Sequence, residues 1–427
     1  MKSLATALCW ILLPFAGPLA AADKAPPLNI QGFGTGTVGG EGGKTLWVTR
    51  LDDDPIHPAP GTLRWALRQE GPREVKFKVE GDIVLKDFID IRSPFLTIDG
   101  SDAPGHGVCV RSGSLLFHGT HDIIVRYVRI RLGEEAAARQ RRAQGGTRPQ
   151  FTAGLECVGL FNSRHIVFDH CSLSWSCKEI FDINHCREVS VQWCMLTEPL
   201  AGPTLHPYGD DHACMVNASA GTLSIHHCLM EHYVFRGPQF ECNDMAPKDQ
   251  YAVQMEASNN VMADFEQSGS RFSVGVEKGN GTGGKTFRFQ FLNNLYLSPK
   301  LTSRVFEAIT NHGVTDDVRI HISGNILRYP AKRLAFLASL AAKSIRPTVD
   351  KPVQPPFWRA EDGPLTLETK LSPDLLFSTS ATKNIEPVDL AAQKVMAEAG
   401  CSLHRDDYDL QMIADVEKWR FGKVDRK

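Results

Sequence analysis

The sequence predicts an all-β fold, a parallel solenoid in which each turn of the chain stacks strands on the turn before it. One grammar recurs, in which alternating apolar residues lead into a polar, Cys or Asn position and then another apolar pair. It appears in DIIVRYVRI (122–130), HIVFDHCSLSW (165–175), EVSVQWCML (188–196) and TLSIHHCLM (222–230), and more loosely in VQMEASNNVM (253–262), FRFQFLNNLYL (287–297) and VRIHISGNIL (318–327). Period-two alternation rich in Val, Ile and Phe marks strands. Aligning the copies puts Cys171, Cys194, Cys228, Asn260, Asn294 and Asn325 in one column, at intervals of 23, 34, 32, 34 and 31 residues. Unequal steps with a constant strand pattern suit a solenoid whose corner loops vary in length. A β-sandwich or propeller would use antiparallel hairpins with two-residue turns, and those turn dipeptides are scarce here.

In chain order, residues 1–22 pair Lys2 with an apolar stretch from Leu4 to Phe15 and end in Ala20, Ala21 and Ala22. This is the three-part pattern of a secretory signal peptide, too short in its apolar part to span a bilayer. The mature protein is therefore expected to be soluble and secreted or periplasmic, with no membrane partner. A net charge of −2 excludes a broad basic field for nucleic acid. In PGTLRWALRQEG (60–71), Pro60 and Gly61 precede apolar residues at helical spacing, the mark of a short helix capping the first coil. The solenoid is assigned to residues 23–345. Beyond it, IRPTVDKPVQPPFW (345–358) reads as an extended strap, and helical patterns follow at 387–400 and 409–419. The tail, 346–427, is expected to pack along the solenoid.

Of 11 cysteines, eight lie between Cys157 and Cys242, on strand-like segments and without a CxxC pair. Export permits disulfides, so some bridges are expected, though their pairing is not readable from sequence. In the central column, Asn is suited to hydrogen bonding from rung to rung and Cys to compact filling.

Eight stretches carry a resemblance. They are GFGTGTVGGEGGKTLWVTRL (32–51), GTLRWALR (61–68), LTIDGSDAPGHGV (96–108), IIVRYVRIRLG (123–133), FDHCSLSW (168–175), VQWCMLTEPL (191–200), LSIHHCLMEH (223–232) and AGCSLHRDDYDLQMIADV (399–416). In this order the chain resembles the pectate lyase family, polysaccharide lyase family 1, as found in secreted bacterial proteins. The resemblance implies a right-handed parallel β-helix with a substrate groove along one face, acting as a monomer on an acidic plant-type polysaccharide. It also implies cleavage of polygalacturonate by β-elimination. Calcium held by carboxylates acidifies the C5 proton next to the uronate carboxylate, and an arginine removes that proton.

Carried over residue by residue, the resemblance makes Arg236, in the segment Arg236, Gly237, Pro238, Gln239 after His226 and His227, the proton-abstracting base. The alternative is an arginine bonded to a loop carbonyl or a carboxylate. A guanidinium base needs flanking positive charge to give up its proton, since arginine is ordinarily always protonated. The implied calcium ligands map onto Glu156 and Asp182, while Lys178 stands where another ligand carboxylate is expected. An ammonium among Glu156, Glu179 and Asp182 is able to replace the ion's charge. Glu179, next to Lys178, is the alternative substitute ligand, although strand alternation would turn it to the face opposite Lys178.

In LHPYGDDH (205–212) the implied substrate contacts are His206 and His212, with Tyr208 near the position of a substrate-binding lysine. Lys178 is the remaining candidate contact. Asp210 and Asp211 read as exposed turn residues, Trp175 as packing at a coil corner and His170 as a turn residue bonded to backbone. The insertion EEAAARQRRAQGGTRPQF (134–151) brings Arg139, Arg141, Arg142 and Arg148, either as a solvated loop or as a lid over an anionic substrate.

The function expected from these residues is that of a secreted polysaccharide lyase acting on pectate or a related uronan, with calcium binding weakened by Lys178. The alternatives are a calcium-independent pectin-type lyase and a non-catalytic carbohydrate-binding β-helix.

Overall fold

The computed structural model describes residues 25–150, 153–207, 213–219, 221–242, 252–274, 286–298, 307–312, 318–330, 348–352, 372 and 374–421. The signal-peptide pattern at 1–22 lies outside them, as do Tyr208, Asp210, Asp211 and His212. No helix among the described residues is long and apolar enough to cross a membrane.

One coil shows how the sequence closes on itself. Arg164–Asp169 lies on sheet 1, Ser172–Ser174 on sheet 2 and Glu179–Asn184 on sheet 3, after which Arg187–Gln192 returns to sheet 1 one rung on. Sheets 1 and 2 each have 10 strands and sheet 3 has 8. Within sheet 1, Arg164, Ile166 and Phe168 pair in parallel with Arg187, Val189 and Val191, and with His121, Ile123 and Val125 on the other side. Parallel crossovers of this kind wind right-handed. The inward residues of this coil, Ile166, Phe168, Leu173, Phe181 and Ile183, are all buried in one core that runs through the stack. Each contributes roughly 1.5–3 kcal/mol by leaving water.

Corner 1–2, between sheets 1 and 2, takes two residues. The first sits in the left-handed region in successive coils, with φ of 52° at Tyr127, 53° at His170, 53° at Trp193, 54° at His227, 53° at Asn259 and 48° at Asn293. Their rings stack, Tyr127 on His170 at 4.9 Å, His170 on Trp193 at 5.9 Å and Trp193 on His227 at 4.3 Å between centroids. His170 is a turn residue bonded to backbone as expected, its N–H donating to Gln192 O at 3.2 Å, and its ring also bonds the Asp169 carboxylate at 2.9 Å.

The second corner residue is the predicted column. The backbone N–H of Cys228 donates to Asn260 Oδ1 at 2.9 Å, that of Asn260 to Asn294 Oδ1 at 3.0 Å and that of Asn294 to Asn325 Oδ1 at 3.0 Å. The cysteines fill the same position without bridging. Nine cysteines, Cys109, Cys157, Cys171, Cys177, Cys186, Cys194, Cys214, Cys228 and Cys401, are buried and form no disulfide, which corrects the expectation of bridges among these residues. The thiols of Cys171, Cys194 and Cys228 instead point at backbone carbonyls of their own stack.

Each outer face is treated differently. On sheet 1, the glycine-rich opening lies flat: the N–H groups of Gln31, Phe33 and Gly34 donate to Gln192, Ser224 and Ser190. A side chain at Gly32 would stand 2.4 Å from Ser224 Cβ, so the opening approaches this closely only as glycine. The first coil is capped by helix α1 (Leu63–Leu67), whose Thr62 accepts from the Trp65 N–H. α1 buries Arg64 in a two-point pair with Asp53 at 2.6 and 2.8 Å.

Sheet 2 is covered by the tail. After α2 (Glu134–Gln144) and the short α3 (Ser380–Lys383), helices α4 (Val388–Glu398) and α5 (Asp407–Glu417) bury Val395, Met396, Met412 and Val416 against Met195, Leu229, Val261 and Leu295. Arg131 fastens α5 through Asp406 and Asp409 at 2.6 and 2.8 Å. The described part of the strap, Thr348–Pro352, is not polyproline-like. It pairs antiparallel with Ile326–Pro330 and ends sheet 2, satisfying main-chain groups that an isolated extended strap would leave to water. Sheet 3 and its corner with sheet 2 remain for the site.

Candidate functional site

Corner 2–3 is irregular where corner 1–2 is uniform. In four successive coils its connections are residues 132–157, 175–178, 198–213 and 234–238. The short second loop carries Lys178 and the fourth carries Arg236, with Glu156 at the end of the first. Four of the sequence-predicted residues, Glu156, Lys178, Asp182 and Arg236, thus meet along one corner, joined by Glu179.

Lys178 Nζ bonds Asp182 Oδ2 and lies 3.6 Å from Glu179 Oε2. The other Asp182 oxygen accepts from Asn184 Nδ2 at 2.6 Å. Asn184 is two residues from Asp182 and so on the same strand face, a spacing that pointed to it in the sequence and was not used. Glu179 Oε1 accepts from Arg236 Nη1 at 2.8 Å. The expectation that Glu179 faces away from Lys178 is therefore wrong. Lys178 sits in the bend before the strand Glu179–Asn184, where alternation does not fix its direction.

Glu156 is fully buried. Its Oε2 accepts from the Gly154 and Leu155 N–H groups at 3.2 and 3.0 Å, whereas Oε1 has no hydrogen-bond partner. That free oxygen lies over Gly159, which pairs with Asp182, and would be 3.0 Å from any Cβ there. Burial is the main cause that pushes the Glu156 carboxyl up to about 7, against the pull of Lys178. Burial likewise raises Glu179, with Lys178 and Arg236 opposing it. Burial pulls Lys178 down, but Glu179, Asp182 and Glu156 outweigh it and hold the ammonium well above its ordinary value.

Arg236 has a left-handed backbone, φ 67°, as do Trp175 and Glu198 in other corner 2–3 loops and the repeated residue of corner 1–2. Burial draws its guanidinium down, and the surrounding acidic groups, among them Glu179, Glu241 and Asp182, bring it back above its usual value. Flanking positive charge, which a base role requires, is outnumbered here. At rest Arg236 is a paired cation.

Calcium asks for several carboxylate or carbonyl oxygens facing one open point. Here an ammonium occupies the middle of the carboxylates, both Asp182 oxygens are engaged, and Glu156 is sealed beneath. Among the described residues no three His, Cys, Asp or Glu side chains gather so as to hold a metal ion. The arrangement does not fit calcium while Lys178 is in place.

His206 is buried at 2% exposure, below the surface that a substrate would touch. Trp175 packs at the corner as expected, edge-on to Tyr408 at 4.9 Å with its Nε1 donating to Glu198 at 3.2 Å. The arginine-rich insertion forms α2, closed by Gly145. Glu134 and Glu135 in its first turn and Arg141 and Arg142 in its last complement the helix dipole, a signal present in the sequence. Arg139 donates to Ser112 O at 2.7 Å, Arg141 to Thr204 O and Arg148 to Pro207 O at 3.5 Å. The first corner loop is thereby stapled to the third, across the short loop of Lys178.

No family model matches the chain. It is 36% identical over 176 residues to a probable pectate lyase C of Aspergillus flavus, covering 41% of this chain and 36% of that protein. It is 31% identical over 185 residues to a putative pectate lyase 2 of Arabidopsis thaliana, covering 42% of this chain and 45% of the relative. The chain thus spans less than half the length of these curated relatives. Among solved structures, a thermostable pectate lyase matches with a TM-score of 0.52 at 12% identity, covering 87% of this chain and 96% of that one. The major cedar-pollen allergen Jun a 1 matches at 0.51 and 16% identity, covering 87% and 92%. Identities this low speak for the fold alone, a right-handed parallel β-helix. The sequence matches are to proteins named as pectate lyases, each over less than half of this chain and of the relative.

Proposed function

We propose that the chain is an exported polysaccharide lyase that cleaves a uronate-containing, plant-type polysaccharide by β-elimination at corner 2–3. The observation that carries this reading is the position of Arg236, bonded to Glu179 beside Lys178 and Asp182 on the face that the C-terminal helices leave uncovered. Relatives named as pectate lyases support the same reaction class.

In the reaction, a neutral Arg236 guanidine takes the C5 proton. The C–H electron pair becomes the C4–C5 double bond, the C4–O4 bond breaks, and O4 leaves and takes a proton from water. Lys178 is the cation nearest the substrate carboxyl, in the role a metal would otherwise fill. Because Arg236 rests as a paired cation, activity rises with pH.

The test is incubation with pectate and with esterified pectin, with and without chelator, following the ultraviolet absorbance of the unsaturated uronate. Product from either polymer, unaffected by chelator and lost in Arg236→Ala, is the expected result. Loss of product on chelation alone overturns the role given to Lys178.

The second reading is a carbohydrate-binding β-helix without catalysis. It is favoured by the mutual neutralisation of Lys178 with Asp182 and of Arg236 with Glu179. Retention of a uronan with no unsaturated product at any pH would support it.

A further inference from the structure

We propose that Glu179 is the positioning residue for Arg236, a carboxylate clamp that aims the guanidinium and, through Lys178, ties it to the acidic cluster. The proposal rests on the β-elimination reading and names a residue which that reading does not otherwise use.

Glu179 is anchored beneath both cations. Its side chain is 6% exposed, against 18% for Lys178 and 21% for Arg236. One carboxylate oxygen accepts from Arg236 Nη1 at 2.8 Å, and the other lies 3.6 Å from Lys178 Nζ with no hydrogen bond of its own. Arg236 Nε has no partner, so the bond to Glu179 is the contact that fixes the direction of the fork.

The other groups facing Arg236 do not substitute for it. Asp182 is bonded to Lys178 and Asn184. Glu241, on the strand Gln239–Cys242, lies within 3.4 Å of Ser219 Oγ. Cys214 is held as a neutral thiol by burial, which pushes it up to about 12. Arg271 shares the Phe235 ring with Arg236, their guanidinium carbons 5.8 and 5.0 Å from its centroid. Glu179 is therefore the one carboxylate bonded to the guanidinium among the described residues, and its charge favours the protonated form of Arg236.

Glu179→Gln keeps an oxygen acceptor for Arg236 Nη1 and removes the charge. Glu179→Asp keeps the charge on a shorter arm, and Glu179→Ala removes both. Two readouts apply to the full chain: the pH dependence of kcat/KM on a uronan, and the hydrogen exchange of the Arg236 guanidinium followed by nitrogen-15 NMR. Glu179→Gln is expected to move the alkaline rise in activity to lower pH by about one unit and to speed guanidinium exchange several-fold. Glu179→Asp should leave the rise near its parental pH, and Glu179→Ala should add a fall in kcat because the aim is lost.

A Glu179→Gln profile and exchange rate that superimpose on the parent's overturn the clamp. If the parent yields no unsaturated uronate at any pH, the β-elimination reading fails, and the exchange measurement still decides whether Glu179 holds Arg236. Thermal melts of each variant, with Glu179→Asp as the charge-preserving control, separate loss of the clamp from loss of the fold.

Discussion

Corners 1–2 and 2–3 lie at the two ends of the same sheet-2 strands and solve different problems. Corner 1–2 turns the chain in two residues, coil after coil, with a left-handed residue outside and a Cys or Asn inside that hands a hydrogen bond to the next rung. Corner 2–3 repeats nothing: its loops differ in length, and its charges pair within one coil, Lys178 with Asp182, and between coils, Glu179 with Arg236, not along a column. The first is stabilised by every copy doing the same thing. The second depends on single charged residues and their few partners, and mutations are expected to separate the two accordingly.

The largest effect is expected at Lys178. Lys178→Met leaves the buried Asp182 carboxylate without its cation and Glu179 with Arg236 alone, which costs about 3–5 kcal/mol in denaturant unfolding at pH 8. The loss should shrink at pH 5, below the range in which Glu156, raised to about 7, takes up a proton. A loss independent of pH would mean that Lys178 acts by packing and not by charge.

Next is the ladder. Asn294→Ala strips the acceptor from the Asn260 N–H and side-chain amide, at 3.0 Å each, for about 3 kcal/mol. Cys194→Ala, in the same column, removes only a small filler and should cost on the order of 1 kcal/mol. Equal losses at the two positions would show that filling and not hydrogen bonding holds the corner.

A smaller, pH-dependent effect belongs to Glu156. Its folded-state affinity is raised from 4.5 to about 7, so the stability it contributes is complete below pH 4.5 and is lost as the pH rises through about 7. Glu156→Gln removes that slope and should gain up to roughly 2 kcal/mol on the parent by pH 8, read from melting curves across the range. Smallest of all, Arg141→Ala cuts one staple on a partly exposed side chain and should change stability by less than about 0.5 kcal/mol. Faster proteolysis within 134–150 would report the loosened loop.

The same contrast explains what the sequence disclosed. The Cys and Asn column was legible because six copies of one physical constraint leave the same trace, and Leu63 and Leu67 of the cap follow helical spacing. Lys178 was visible because the family resemblance put a ligand carboxylate at its position and because Glu179 and Asp182 stand close to it in the chain; Glu156 joined the group through the resemblance alone. Glu179 was misdirected because alternation was carried one residue too far, into the bend that precedes its strand. Its bond to Arg236 joins residues 57 apart and leaves no periodic mark. The helix in the insertion was overlooked although Glu134, Glu135, Arg141 and Arg142 stand in dipole order. The staples from Arg141 and Arg148 end on backbone carbonyls, acceptors that any residue supplies and no pattern announces.

The buried, unbridged cysteines of the stack have a use for the experimenter. They run from Cys109 near the start to Cys401 in the tail, every one of them sealed from solvent. A thiol reagent added to the native protein meets none of them, and each coil that opens releases its own. Timed alkylation followed by peptide mapping would therefore give a residue-by-residue clock of unravelling, written into the chain without any introduced label.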